Sequence, residues 1–132
     1  MSLAKIQALQ AAISTLPQAD GFVTTHHFAG GLYGRELFRP AGTLIVGKLH
    51  KKDHFYIVLA GEIEVYGVGR IRAPAVFVSQ AGSKRAVYAH TDAICMTVHR
   101  TDETDLEGIE ADLIEPEGNA LFDARNQLKA LP

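Results

Sequence analysis

Three histidines carry the most specific chemical signal in this chain. His50 and His54 flank Lys51-Lys52-Asp53. Read as a three-residue hairpin loop, that segment sets the two histidines opposite each other. Directly opposed strand residues have Cβ atoms roughly 4.5–5.5 Å apart, close enough to share one ion. A second hairpin turning at His90-Thr91-Asp92 pairs Ala89 with Ala93 and Arg85 with Thr97. Side chains alternate along a strand with period two, so His99 then shares a face with Arg85, one step nearer the strand end. On this reading His50, His54 and His99 converge at one mouth of a barrel, and three histidines with an open fourth position make a workable catalytic-type metal site. Strand-end histidines also have a plainer reading as solvated groups, and neutral ones can serve as general acid or base.

Arg85 points to a different chemistry. An unpaired guanidinium inside a small barrel is very costly. Its partner is either a protein carboxylate, with Glu36, Glu62 and Glu64 as candidates, or an anionic ligand gripped by the guanidinium fork. In the ligand case Lys48 adds charge and Tyr56 or Tyr88 a hydroxyl. His26 and His27 are adjacent, so at most one of them can point into such a site. Cys95, in the apolar run Ala93-Ile94-Cys95-Met96, reads as a small buried hydrophobe rather than a nucleophile. The acidic residues from Asp102 to Asp112 read as a solvated helix face and its approach.

Positioning these groups falls to short runs rich in Val, Ile, Tyr, Phe and Thr between residues 22 and 100, punctuated by glycine, proline and Thr91-Asp92 turns. Turn signals at this spacing suit an all-β sandwich or barrel. Strands are expected near 32–39, 43–50, 54–60, 62–66, 70–73, 75–79, 86–90 and 93–99, with Ile57 and Leu59 as candidates for the core. Ahead of them, Leu3, Ile6, Leu9, Ala12, Ile13 and Leu16 recur at helical spacing behind Ser2, so residues 1–18 read as a helix docked on a sheet or a second subunit. After Thr101 the pattern is helical again. One helix carries Leu106, Ile109, Leu113 and Ile114, and Pro116-Glu117-Gly118 separates it from a last one, giving C-terminal helices within 104–131.

The spacing from Gly42 to Gly61 resembles the first cupin motif, which reads glycine, five residues, His-x-His, three or four residues, glutamate, six residues, glycine. Here it runs Gly42, five residues, Lys48-Leu49-His50, three residues, His54, six residues, Gly61. Lys48 stands at the first histidine and His54 at the glutamate. The second motif is represented by Pro74, Gln80, Gly82, Arg85 and Ala89, of which Gly82 matches outright and Arg85 replaces the metal-binding histidine. The resemblance spans Gly42 to His99. It implies a cupin-type double-stranded β-helix, a jelly-roll barrel filling a single domain over 1–132, and a homodimer. Cupins that use a metal hold it with three histidines and often a glutamate, a donor set suited to Zn, Fe, Mn or Ni. Lys48 and Arg85 would repel such an ion from the family's own ligand positions.

Three functions stand open. The first is a cupin binding a small, anionic molecule through Arg85, Lys48, Tyr56 and Tyr88, with little or no turnover. The second is a metal-dependent enzyme of the dioxygenase or isomerase class using His50, His54 and His99. The third is a scaffold whose barrel is filled by its own side chains. At net charge −2 the chain lacks the basic footprint that nucleic-acid binding needs. No apolar run approaches a membrane span, and neither a signal peptide nor a disulfide pair is evident, so a cytoplasmic protein is expected.

Overall fold

The computed structural model describes residues 2–16 and 20–116. Helix α1 (Leu3–Ile13) is followed by strands β1 (Val23–Ala29), β2 (Leu32–Arg39), β3 (Leu44–Val46), β4 (His54–Ala60), β5 (Glu62–Val65), β6 (Gly69–Arg72), β7 (Ala75–Ser79), β8 (Ala86–Ala89) and β9 (Ala93–Arg100), then helix α2 (Leu106–Leu113). The strands form two antiparallel sheets, one ordered β1-β2-β9-β4-β7 and the other β3-β8-β5-β6. This is the expected jelly-roll barrel with a helix at each end. The second expected C-terminal helix lies outside the described residues.

Alternation along the strands builds the interior. On β4, His54, Tyr56 and Val58 are buried while Phe55 and Leu59 are exposed. On β9, Ala93, Cys95 and His99 are buried on the same inner side. Tyr56, Val58, Ile63, Val65, Val87, Ala93 and Cys95 form the core between the sheets. The expectation for Ile57 and Leu59 is therefore off by one residue. Both sit on the outer face, Leu59 at 48% exposure against 0% for Val58, because a one-residue slip inverts every side chain on a strand.

Gly61, the closing glycine of the first motif-like stretch, turns β4 into β5 at φ +80°. A Cβ there would lie 2.2 Å from the Asp92 carbonyl oxygen. Only glycine lets the chain cross from one sheet to the other at this point.

Helix α1 starts at Ser2, whose hydroxyl accepts a hydrogen bond from the Lys5 N–H. It docks on a sheet, as expected: Ile6 packs with Val46 and Ala86, flanked by Leu9 and Ile13. Helix α2 is capped by Asp105, which accepts from the Gly108 N–H at 2.7 Å. Its buried Ile109 and Leu113 join Tyr33 and Ile114 in a separate cluster.

Two expected hairpins are not hairpins. Strand β8 pairs with β3 and β5, whereas β9 pairs with β2 and β4, so the 90–92 connection crosses between the sheets. The 51–53 segment crosses likewise, from the sheet holding β3 to the sheet holding β4. The strand expected over 43–50 stops at Val46, and beyond it His50 makes only an isolated bridge to Ile114. Strand β1, which was not among the expected strands, pairs with β2 from Val23↔Phe38 to Ala29↔Leu32. It is a sheet edge whose residues are half-buried or exposed, so it carries little of the apolar alternation by which strands are recognised.

Truncating Ile63 to alanine should destabilise the fold by about 2–5 kcal/mol, and Leu32→Ala, at an exposed position of β2, by about 0.5 kcal/mol or less. Urea unfolding of the two variants checks the inside–outside assignment, and equal losses would contradict it.

Candidate metal centre

His54 and His99 enter the barrel from neighbouring strands, since the β4·β9 register sets Phe55 opposite Val98 and carries the residues beside them to the same end. His50 arrives from the irregular segment between β3 and β4. That segment is pinned on two sides. The His50 N–H donates to the Ser83 carbonyl and the Gly82 N–H donates to the His50 carbonyl. From α2, the Leu113 carbonyl accepts from the Lys51 N–H, while the Glu115 N–H donates to the Leu49 carbonyl. Lys52 pairs with Asp112 at 2.9 Å.

The three imidazoles lie face against face. Ring centroids are 4.3 Å apart for His50 and His54, 4.1 Å for His54 and His99, and 5.2 Å for His50 and His99. One ring nitrogen from each lies within 4.8 Å of the others. His54 and His99 are 6% and 4% exposed. The His54 Nδ1–H donates to the Lys52 carbonyl at 3.2 Å, which leaves Nε2 with the free lone pair. Both ring nitrogens of His99 and Nδ1 of His50 are buried with no hydrogen-bond partner among the described residues.

Burial is the first cause of the low basicity of all three. It takes His50 to about 3, helped by His54 and Arg35, and His99 to about 2, helped by His54, His50 and Arg35. His54 is lowered by burial and by Arg85, against the Lys52 carbonyl. All three are neutral at pH 7, the form that ligates a metal. Buried polar groups nearly always find a partner, so a cluster of orphaned imidazole nitrogens within reach of one point fits a divalent transition ion. In a cupin-type site, His50 would stand at one of the family's histidine positions and His54 at its glutamate position. His99 comes from a strand outside both motifs.

A cavity of about 110 Å³ adjoins the trio, with His50 and His54 in its wall. Arg35, Arg39, Lys48 and Arg85 line it and no carboxylate does, while Phe22, Leu37, Ile45 and Val87 supply apolar surface. Arg85 takes none of its three candidate partners. Its Nε donates to Ser79 Oγ at 3.3 Å and its guanidinium lies 6.0 Å from the Phe77 ring centre. Glu36, Glu62 and Glu64 engage His27, Arg70 and His90 instead. Lys48 lines the cavity but is ion-paired with Glu110 of α2, so the charge it was expected to lend is balanced.

Tyr56 lines the wall as well, and burial pushes its phenol up so that it stays protonated. Tyr88 is not a wall residue: Arg85 and Val87 face inward, so the residue after Val87 faces out, where Tyr88 meets the edge of His90 at 4.9 Å. Arg35, Arg39, Cys95 and Thr97 are wall residues that sequence reasoning did not select. Arg35, Leu37 and Arg39 recur at every second position of β2, and that period was the available signal.

No protein-family model matches the chain, and no curated protein matches it. Solved structures do. An acetylacetone dioxygenase from Acinetobacter johnsonii superposes with a TM-score of 0.55 at 14% identity, over 64% of this chain and 65% of that one. A cupin superfamily protein from Desulfitobacterium hafniense gives 0.54 at 12% identity, over 67% and 86%. KdgF from Halomonas sp. gives 0.53 at 16% identity, over 63% and 82%. The chain thus spans just under two thirds of the dioxygenase's length. What these likenesses establish is the fold. Among the described residues, no helix is long and apolar enough to cross a membrane.

The depressed histidines have a measurable consequence in metal-free protein. Their unfolded forms take up protons below about pH 6.5 while the folded forms do not, so stability is fully present above that value. It falls as pH drops towards the folded values, by up to about 1.4 kcal/mol per pH unit for each histidine. Urea unfolding in chelator at pH 7, 6 and 5 should show this slope in the native protein and a shallower one in His99→Leu. Identical slopes would contradict the burial of a neutral His99.

Proposed function

We propose that this cupin-fold chain holds one divalent transition metal ion on His50, His54 and His99 and binds a small organic anion in the adjoining cavity. The orphaned buried nitrogens of His99 and His50 carry the metal half of this reading. Their desolvation is uncompensated in the protein alone, and a ligated ion removes the deficit. The anion half rests on a wall with several cations and no carboxylate, in which Arg85 is bonded only to neutral partners among the described residues. A real cavity also favours ligand binding over the scaffold reading.

A bound ion would supply Lewis-acid polarisation of a ligand oxygen. The protein's own residues do the rest. His54 is held in one tautomer by the Lys52 carbonyl, α2 fixes the His50 segment, and the apolar wall limits water around the ligand. Turnover of the dioxygenase or isomerase class is the second reading, favoured by the direct opening of the cavity onto His50 and His54. Acetylacetone dioxygenase is one activity carried on this fold, and the trio offers a donor set suited to iron, zinc, manganese or nickel.

The homodimer belongs with this reading. The outer face of β4 and β7 exposes Phe55, Leu59, Val76 and Val78, and β7 is a sheet edge. A second copy laid against that face would cover both the apolar surface and the unpaired edge. Light scattering at micromolar concentration should give twice the chain mass, and a Val76→Lys variant should give the single mass. A native protein of single mass would contradict it.

Elemental analysis of tag-free protein should find close to one equivalent of metal. Alanine at His50, His54 or His99 should weaken its affinity by more than the roughly 10–100-fold that loss of an outer-shell partner costs, without unfolding the protein. Metal uptake by all three variants equal to that of the native protein would remove the metal reading.

A further inference from the structure

Arg39 is the least expected group in the molecule. It is 8% exposed, it lines the cavity, and its Nη2 donates to the Tyr56 hydroxyl at 3.1 Å. Its Nε and Nη1 are buried with no hydrogen-bond partner among the described residues. A guanidinium stays charged in a protein, and a buried charge without a counter-charge is strongly destabilising. The wall around it offers Tyr56, Cys95, Leu37 and Val87, and no carboxylate.

Register places Arg39 at the far end of the barrel from the histidines. On β2, Tyr33 lies opposite His99, and Arg39 lies opposite Ala93. The six intervening steps span roughly 20 Å of strand at 3.3 Å per residue. Tyr56, whose strand partner is Thr97, stands four register steps nearer the histidines than Arg39, and the tips of the two side chains meet between those levels. Arg39 thus enters the cavity from the end away from the histidines, while Arg35 and Arg85 line it close enough to act on them.

We propose that Arg39, steadied by the Tyr56 hydroxyl, is the carboxylate-binding end of the cavity and makes this a site for short monocarboxylic acids, whose other end faces the histidines. Nη2 keeps a second N–H beside its bond to Tyr56, and together with one of the two orphaned groups it makes the side-by-side pair that a carboxylate accepts from. A carboxylate held there satisfies one orphaned donor and gives Arg39 the counter-charge that the wall lacks. Size agrees: an apolar cavity of roughly 150 Å³ takes benzene, so 110 Å³ suits an acid of three or four carbons. This assignment rests on the proposed ligand-binding role of the cavity, and it does not depend on which metal the histidines take.

The test is an NMR titration of the full-length, metal-loaded protein with propionate, using 1-propanol as the neutral control. The native protein should bind propionate at least tenfold more tightly than propanol. Arg39→Met should abolish that preference, keep the same metal content and raise Tm, because it removes an unpaired buried charge. A residue with a purely structural role would lower Tm on the same change. Should Arg39→Met not fold, Arg39→Lys keeps the charge, loses the fork and should weaken propionate severalfold. Propionate binding unchanged in either variant, or no preference over propanol in the native protein, would overturn the assignment. Protein that takes up no metal yet binds propionate through Arg39 would overturn the metal reading alone and leave this one standing.

Discussion

Burying three imidazoles face to face between two sheets is the constraint on which the rest of this structure depends. Each orphaned polar group in such a place costs about 1–3 kcal/mol, and the trio contains three such nitrogens. The fold tolerates this because the rings are neutral and the segments that carry them are held by backbone hydrogen bonds. His54 and His99 are fixed by the β4·β9 ladder, and His50 by hydrogen bonds to the 82–83 turn and by the bridge to Ile114. Strain of this kind, kept at one place and compensated around it, is what a binding centre requires.

Electrostatics follow from the same placement. Positive side chains crowd the interior beside the histidines, and their field helps keep the imidazoles unprotonated. Helix α2 moderates that field: Glu110 takes Lys48, and Asp112 takes Lys52. The C-terminal helix therefore closes the barrel mouth and also sets the charge that an incoming ion meets. Arg39 and Arg85 keep no carboxylate partner among the described residues, and the proposed anion would balance that charge.

The gross fold was legible because apolar runs between turn residues make short strands whatever their partners. Pairing was less so. His50, His54 and His99 do meet, as their positions suggested, yet neither hairpin invoked to bring them together exists. Pairing of β4 with β9 inside one sheet sets His54 beside His99, and the segment crossing from the other sheet brings His50, a nonlocal relation that local turn patterns do not encode. Tyr88, Ile57 and Leu59 were misplaced by the same ambiguity, since alternation says which residues share a face and leaves open which face is inside. Arg39 was overlooked because Arg39-Pro40 reads locally as the end of a strand, and only the closed barrel shows that its side chain turns back into the core. The helix expected at the C-terminal end of the chain lies outside the described residues.

X-ray absorption at the metal edge of zinc-loaded protein tests the central claim most directly. Ligation by His50, His54 and His99 predicts nitrogen scatterers at about 2.0–2.1 Å with outer-shell scattering from three imidazole rings, reduced to two in His99→Ala. An oxygen-dominated shell without imidazole scattering, or a spectrum unchanged in His99→Ala, would contradict it.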